Sequence, residues 1–286
     1  VIAVGLALLS ALLFAGMSVG LRIGLNRHPD AEAATLATVV GAFAVCLIAA
    51  AVEAPYRGVH AGAAWPFALA GLLQPGAGQL LVTLAIREAG ASRASVVFGA
   101  APLVSVTIAL ALLGEPASAP LIAGALLIVG GGVALTQEQD RPGHVRPVGL
   151  VFAFVATVLF ASRDNLLRWL SRGTSVPPAV AGAAALLGAT VLLSAALGPR
   201  LRRRPQLREA APFLGVGVLF GLSYVALFEA YYRGRVTVVS PLIATESLWA
   251  VGLSVLLIRH TELVSRRLVL GALLIVAGGT VIGAFR

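Results

Sequence analysis

GALLIVGGG at Gly124–Gly132 and GALLIVAGG at Gly271–Gly279 differ only at Gly130 against Ala277, and they stand 147 residues apart in a chain of 286. A near-identical stretch at half the chain length predicts one structural unit written twice. The register holds on either side of it. Phe14-Ala15 returns as Phe160-Ala161, Arg22 as Arg168, Pro66-Phe67 as Pro212-Phe213, Gly71 as Gly217 and Arg87 as Arg233, all 146 residues on. Glu115 returns as Glu262 after 147. Landmarks that recur in one order at one spacing point to duplication.

The unit is built for a membrane. Hydrophobic residues make up 59% of the chain, charged residues 12%, and the mean hydropathy is +0.96, well outside the mix of a soluble domain. Apolar runs of about 20 residues, the length that carries a helix across ~30 Å of hydrocarbon, alternate with short polar breaks. Ten spans are expected: 3–24, 33–52, 65–86, 91–113, 119–136, 148–170, 177–198, 212–232, 236–258 and 267–285. The charged, proline-containing segment QEQDRPGHVRP, Gln137–Pro147, divides five from five and reads as a connecting loop. Five spans per unit is an odd number, so the second copy enters the membrane from the opposite side. The expected fold class is an all-α membrane protein of ten transmembrane helices as two inverted five-helix repeats, 1–136 and 148–286, an architecture recurrent among secondary transporters. Val1–Gly20 lacks a basic leader and is expected to be the first helix; the start at Val1 predicts that a few residues precede it.

All 21 basic residues are Arg, which excludes every Lys-dependent chemistry, from a Walker A phosphate loop to a Schiff base or a Ser-Lys dyad. The net charge of +9 sits largely in loops beside apolar segments, where anionic headgroups attract it, so no nucleic acid partner is expected. The loop carrying Arg200, Arg202, Arg203, Arg204 and Arg208 falls on the cytoplasmic side by the positive-inside rule, which puts both termini outside. Cys46, the single cysteine, makes neither an intramolecular disulfide nor a cysteine metal cluster. Gly16-Met-Ser18-Val-Gly20 matches a nucleophile-elbow pattern, but it lies in an apolar helix and all four His lie in loops. No metal spacing, no catalytic residue and no cofactor is therefore expected, and the chain reads as no enzyme.

Polar residues at membrane depth carry the functional expectation. The third span is broken by LLQPGAGQLL, Leu72–Leu81, in which Pro75 and Gly76 weaken the helix between Gln74 and Gln79. Its counterpart FGLSYV, Phe220–Val225, carries Gly221, so paired interruptions are expected in spans three and eight, with Tyr224 as a lining residue. Glu246, in the middle of the ninth span, is expected to face the interior, and burial disfavours its charged form, which makes it the candidate for exchange of protons. Trp249 one turn on is expected to supply a flat wall beside it. In the sixth span Arg163, Asp164 and Asn165 cluster; Asp164 is placed to pair with Arg168, leaving Arg163 to meet Glu246 or a substrate. Glu229 and Arg233 repeat the same spacing as a structural pair.

The five-plus-five layout, LLGEP at Leu112–Pro116, the glycine-ended fifth and tenth spans, and VVSPLIATESLWAVGLSVLL at Val238–Leu257 together resemble the drug/metabolite transporter superfamily, in its ten-helix branch with EamA-like repeats. The second half departs from the pattern, since Arg259-His260-Thr261 precedes Glu262 where Leu-Gly precedes Glu115. The resemblance implies a permease moving a small-molecule metabolite through a central cavity, in the cell membrane. An intramembrane enzyme acting on lipid-like substrates, or a non-transporting scaffold, are the alternatives.

Overall fold

The computed structural model describes residues 2–104, 119–136, 146–171, 173–201, 210–234, 236–258 and 265–284. LLGEP, Glu115, Glu262, the outer part of the fourth span, almost all of the connecting segment and four of the five clustered loop arginines lie outside these residues. All regular structure among those described is helical. In chain order the helices are α1 (Ile2–Arg27), α2 (Ala31–Arg57), α3 (Trp65–Gly71), α4 (Gly78–Ala89), α5 (Ala91–Phe98), α6 (Ala119–Thr136), α7 (Pro147–Ser171), α8 (Pro178–Leu201), α9 (Ala211–Arg233), α10 (Val236–Ile243), α11 (Glu246–Leu257) and α12 (Arg266–Ala284). Among the described residues, six stretches are long and apolar enough to cross a membrane: α1, α2, the α3–α4 segment, α7, α8 and α9. Ala91–Val104, Ile122–Gly131 and Glu246–Leu257 are shorter apolar helices.

Local chemistry sets the helix ends. Asp30 caps α2 by accepting from the backbone N–H of Glu32 and Ala33 at 3.0 and 3.1 Å, and Gly58, at φ +73°, ends it. The repeated arginines do one job twice. Arg22 Nη1 donates to the Arg87 carbonyl in the last turn of α4 at 2.9 Å, and Arg168 Nη1 donates to the Tyr231 carbonyl in the last turn of α9 at 3.1 Å. Each supplies a donor to a helix C-terminus that has run out of its own. Arg168 thus reaches across to α9, whereas the sequence had suggested an ion pair with Asp164 on its own helix. Glu229 and Arg233 do pair, and Arg57 joins Glu229 at 3.2 Å.

Close contacts between the halves come in reciprocal pairs. α6 packs on α12, where a Cβ on Gly131 would lie 2.7 Å from the Gly271 carbonyl oxygen, and one on Gly278 would lie 2.5 Å from that of Gly124. Exchanging the halves converts one contact into the other. The same holds where α2 meets α9 and α3 meets α8. Gly41 faces the Leu214 carbonyl as Gly188 faces that of Ala68, and Gly217 faces the Thr38 carbonyl as Gly71 faces that of Ala185. Such reciprocity is what a two-fold relation between the halves produces. Small residues are needed there because lipid tails give apolar side chains no incentive to leave them, so helices associate by close backbone packing. Large apolar residues such as Leu12, Ile48, Leu126, Phe154, Val191 and Leu256 instead cover the exterior.

The helix breaks differ from expectation in one half. The third span does break: Leu72–Ala77 forms a π-helical turn, and Gln74 leaves helical geometry altogether at φ −147°, ψ 115°. In the second half α9 runs unbroken through Gly221. FGLSYV contains no proline, so its ladder of N–H donors stays whole; Gly221 serves packing, because a Cβ there would come 2.6 Å from Val45 and 2.8 Å from the Ala42 carbonyl. The paired breaks lie elsewhere, at Gly99–Ala100 after α5 and at Ala244–Thr245 between α10 and α11. Three of their backbone bonds match. Gly99 N–H to Ser95, Ala100 to Val97 and Leu103 to Ala100 correspond, 145 residues on, to Ala244 to Ser240, Thr245 to Leu242 and Leu248 to Thr245.

The packing reading has a direct test. Gly131→Ala is expected to cost about 1–3 kcal/mol by overpacking against a backbone that has nowhere to move. Gly130→Ala, where a Cβ meets nothing within 4 Å, is expected to stay within about 0.5 kcal/mol of the parent. Thermal unfolding of the detergent-solubilised variants reads the difference, and equal losses would reject the α6–α12 contact as a close one.

Candidate functional site

Both matched breaks open onto one central cavity. Phe98, Ala101 and Pro102 from the first, and Ile243, Ala244 and Glu246 from the second, form part of its wall. α1 contributes Ser10 and Phe14, α7 contributes Phe160, Arg163 and Asp164, and α9 contributes Ser223, Tyr224 and Leu227. The local sequence explains why the chain bends there. Pro102 has no N–H to return to the Phe98 carbonyl. Thr245 turns its hydroxyl back onto the Leu242 carbonyl at 2.6 Å, taking an acceptor that a continuing helix would use. Glu246 is consequently the first residue of α11, not a mid-helix residue as the sequence suggests.

Arg163 is 6% exposed, Asp164 5% and Tyr224 1%, and the three form a closed polar group. Arg163 Nε and Nη2 both donate to Asp164 Oδ1, at 2.9 and 2.6 Å, and Nη1 donates to the Tyr224 hydroxyl at 2.9 Å. The guanidinium also lies 5.3 Å from the centre of the Phe160 ring and 5.5 Å from that of Tyr224. Arg163 is therefore paired with its own neighbour, and the free guanidinium anticipated from sequence is absent. A charge at this depth costs roughly 2.5–3.5 kcal/mol on insertion scales, which the carboxylate, the hydroxyl and the two ring faces offset. Glu246, 5% exposed, lines the same cavity and feels the charges of both Arg163 and Asp164.

The rest of the wall is aromatic. Phe14 and Phe160, the repeated landmark, meet edge to face at 5.7 Å, and Phe98 lies 6.4 Å from Phe14 and 5.4 Å from Phe160. Ser10 and Ser223 tie α1 to α9 at one side: each hydroxyl donates to the other's carbonyl at 3.0 Å. The space left is about 40 Å³. At roughly 10–15 Å³ of such volume per water it suits a few waters, far below the ~300–1,000 Å³ of an organic ligand site. The cavity is narrow.

Four of the residues singled out in the sequence, Arg163, Asp164, Tyr224 and Glu246, come together here, and four do not. Trp249 is 42% exposed. The buried face of α11 runs through Glu246, Ser247, Ala250, Val251 and Ser254, and at ~100° per residue Trp249 lies about 130° from its centre. Gln74 and Gln79 are buried away from the cavity wall, Gln79 Nε2 against the Met17 sulfur at 3.9 Å. Asn165 bonds back to the Ala161 carbonyl at 2.8 Å. The sequence reading missed Ser10, Phe14, Phe98, Phe160 and Ser223. Phe14 and Phe160 carried a usable signal, since duplicated aromatic residues in the first span of each unit are placed to meet on the axis between them.

A family model described as "EamA-like transporter family" matches residues 1–137 and 147–284, the two halves in turn. The chain belongs to the EamA-like transporter family. It is thus a multi-pass membrane protein of a transporter family within the drug/metabolite transporter superfamily. A solved structure titled only "Crystal structure of protein" resembles this transporter-family chain with a TM-score of 0.65 at 22% identity, covering 98% of this chain and 95% of that one. At that identity the likeness concerns the fold. No curated protein matches.

The polar group predicts its own energetics. Asp164→Ala leaves Arg163 buried without its carboxylate and is expected to cost about 3–5 kcal/mol. Replacing both, as Arg163→Met with Asp164→Leu, is expected to cost less than that single change, because no lone charge remains. Denaturant unfolding in micelles compares them, and a double variant no more stable than Asp164→Ala would contradict the pairing.

Proposed function

We propose that the chain is a secondary transporter of small organic metabolites, working by alternating access in the cell membrane, with ten transmembrane helices in two inverted five-helix repeats, 1–136 and 148–286. One observation carries the reading: the two halves break at matched positions, 99–100 and 244–245, and both breaks adjoin one narrow cavity lined by the ionisable Glu246. Irregular backbone at membrane depth is tolerated where it lines a cavity, and it is where transporters of this architecture bind their cargo. Two related bundles that rock about that point expose it first to one side and then to the other. The space is narrowed here by Phe14, Phe98 and Phe160 on one wall and by the Ser10–Ser223 clasp on another.

Glu246 is the coupling residue in this reading, and protons are the coupling ion. It stands at the break itself, beside an Arg163–Asp164 pair whose charges already balance, so its protonation changes the charge of the cavity. The chain has no catalytic role in this account.

Purified protein in proteoliposomes is expected to carry a metabolite, identified first by its stabilising effect in a thermal screen, at a rate that depends on pH. Glu246→Gln is expected to flatten that dependence at least tenfold. An unchanged pH profile in Glu246→Gln removes the coupling role, and absence of flux for every stabilising metabolite under any imposed gradient removes the transporter reading.

A further inference from the structure

A second space, of about 530 Å³, lies on the flank of α2, α3 and α8 and shares no lining residue with the central cavity. Phe43, Leu47, Ala50 and Ala54 line it at helical spacing along α2, and Val180 and Leu187 bound it on the α8 side. Eight of its fourteen lining residues are alanine, and these short side chains hollow out the groove. The indole N–H of Trp65 is the one polar side-chain group among the fourteen, so a polar ligand would lose its water without gaining partners. Phe43 stands at the middle of α2 and Ala54 in its last turn. At ~1.5 Å per residue the groove runs roughly 16 Å, about half of a ~30 Å hydrocarbon core and hence one leaflet deep.

The mouth opens where α2 ends and α3 begins. Val59 is 48% exposed there and Trp65 64%, a place where tryptophan sits at headgroup level. Arg57 Nη1 bridges Glu53 at 2.8 Å and Glu229 at 3.2 Å, Arg233 pairs with Glu229, and Glu53 Oε2 accepts from the Ala179 N–H at 3.1 Å. Two carboxylates thus balance two guanidinium groups beside the mouth. The other end of α2 carries the Glu32–Arg200 pair at 3.4 Å, so the mouth lies at the face away from the arginine-rich loop.

We propose that this groove is a phospholipid site, in which one acyl chain lies along α2 between α8 and the start of α3, with the headgroup at Trp65. Spread over the length of the groove, 530 Å³ leaves a cross-section of about 30 Å², against about 80–110 Å² for a helix ~10–12 Å across. A helix of a second copy would therefore bridge the opening and leave the space beneath it empty, with the lining atoms deprived of dispersion contacts. An extended hydrocarbon chain enters and fills it. Because the wall is apolar and the charges at the mouth balance, the site selects its lipid by chain length and not by headgroup charge. A chain bound only by the folded protein, in contact with both α2 and α8, stabilises their packing. None of this depends on the transporter reading.

Native mass spectrometry of the full chain released from detergent tests the site with three lipids: palmitoyl-oleoyl phosphatidylethanolamine, its phosphatidylglycerol counterpart, and dihexanoyl phosphatidylcholine. The two long-chain lipids are expected to be retained at one per chain with affinities within about threefold of each other, and the six-carbon lipid to bind at least tenfold more weakly. Phosphatidylethanolamine should also raise the midpoint of thermal unfolding by at least about 3 °C. Ala183→Leu, which fills the floor of the groove, should weaken long-chain binding at least fivefold and remove the thermal shift. Val52→Phe, on the exposed surface of α2 outside the groove, should change neither. If Ala183→Leu does not fold, Ala51→Phe at the exposed rim carries the same test. Lipid retention equal to the parent in the folded filling variant identifies ordinary annular lipid and overturns the proposal. So does binding of the six-carbon lipid as tight as that of the long-chain pair, or a tenfold preference for phosphatidylglycerol. Retention of free palmitate that neither phospholipid displaces, or a dimer of the parent chain that the filling variant dissociates, would assign the groove to a fatty acid or to a second copy and overturn it equally.

Discussion

Gly131 lies against the carbonyl of Gly271, and Gly278 against that of Gly124, because in hydrocarbon two helices gain little from apolar side chains and much from backbone contact. The remaining structure depends on this closeness. With α6 and α12 joined at short range, and the α2–α9 and α3–α8 pairs joined the same way, the two halves are held in a reciprocal arrangement. A side chain at any of these glycines would push a pair apart and carry the paired breaks away from a common centre. The glycines hold no chemistry, yet the cavity exists because of them.

A membrane helix keeps its backbone donors and acceptors satisfied within itself, and an interruption is affordable only inside the protein. The matched breaks at 99–100 and 244–245 meet that condition by packing on one another beside the cavity, Gly99 against the Ala244 carbonyl, and three backbone bonds recur in both. The third-span break at Gln74 meets it differently, buried against α8 and α7. One kind of irregularity thus serves two ends, a cavity wall in the first case and packing in the second. Proline and glycine mark both.

The polar centre follows the same logic of internal satisfaction. Arg163 is tolerated at depth because Asp164, Tyr224 and two ring faces surround it. Glu246 lines the same cavity without such an escort among the described residues.

The sequence by itself determined the duplication, the membrane class and the inward placement of Glu246, because composition, register and the cost of a charge in hydrocarbon are properties of the chain alone. Only the tertiary structure decided who partners whom. Periodicity along one helix suggested Asp164 with Arg168, but Arg168 meets the end of α9 and Asp164 turns to Arg163, since each side chain follows the neighbour that packing brings. Glycine in Gly221 reads as weakness in one dimension and proves to be a contact point in three. Trp249 likewise fell outside because a helix beginning at Glu246 fixes which way its third residue on must face. A sequence records what each residue can do; which of those capacities is used depends on the surfaces that come to rest against it.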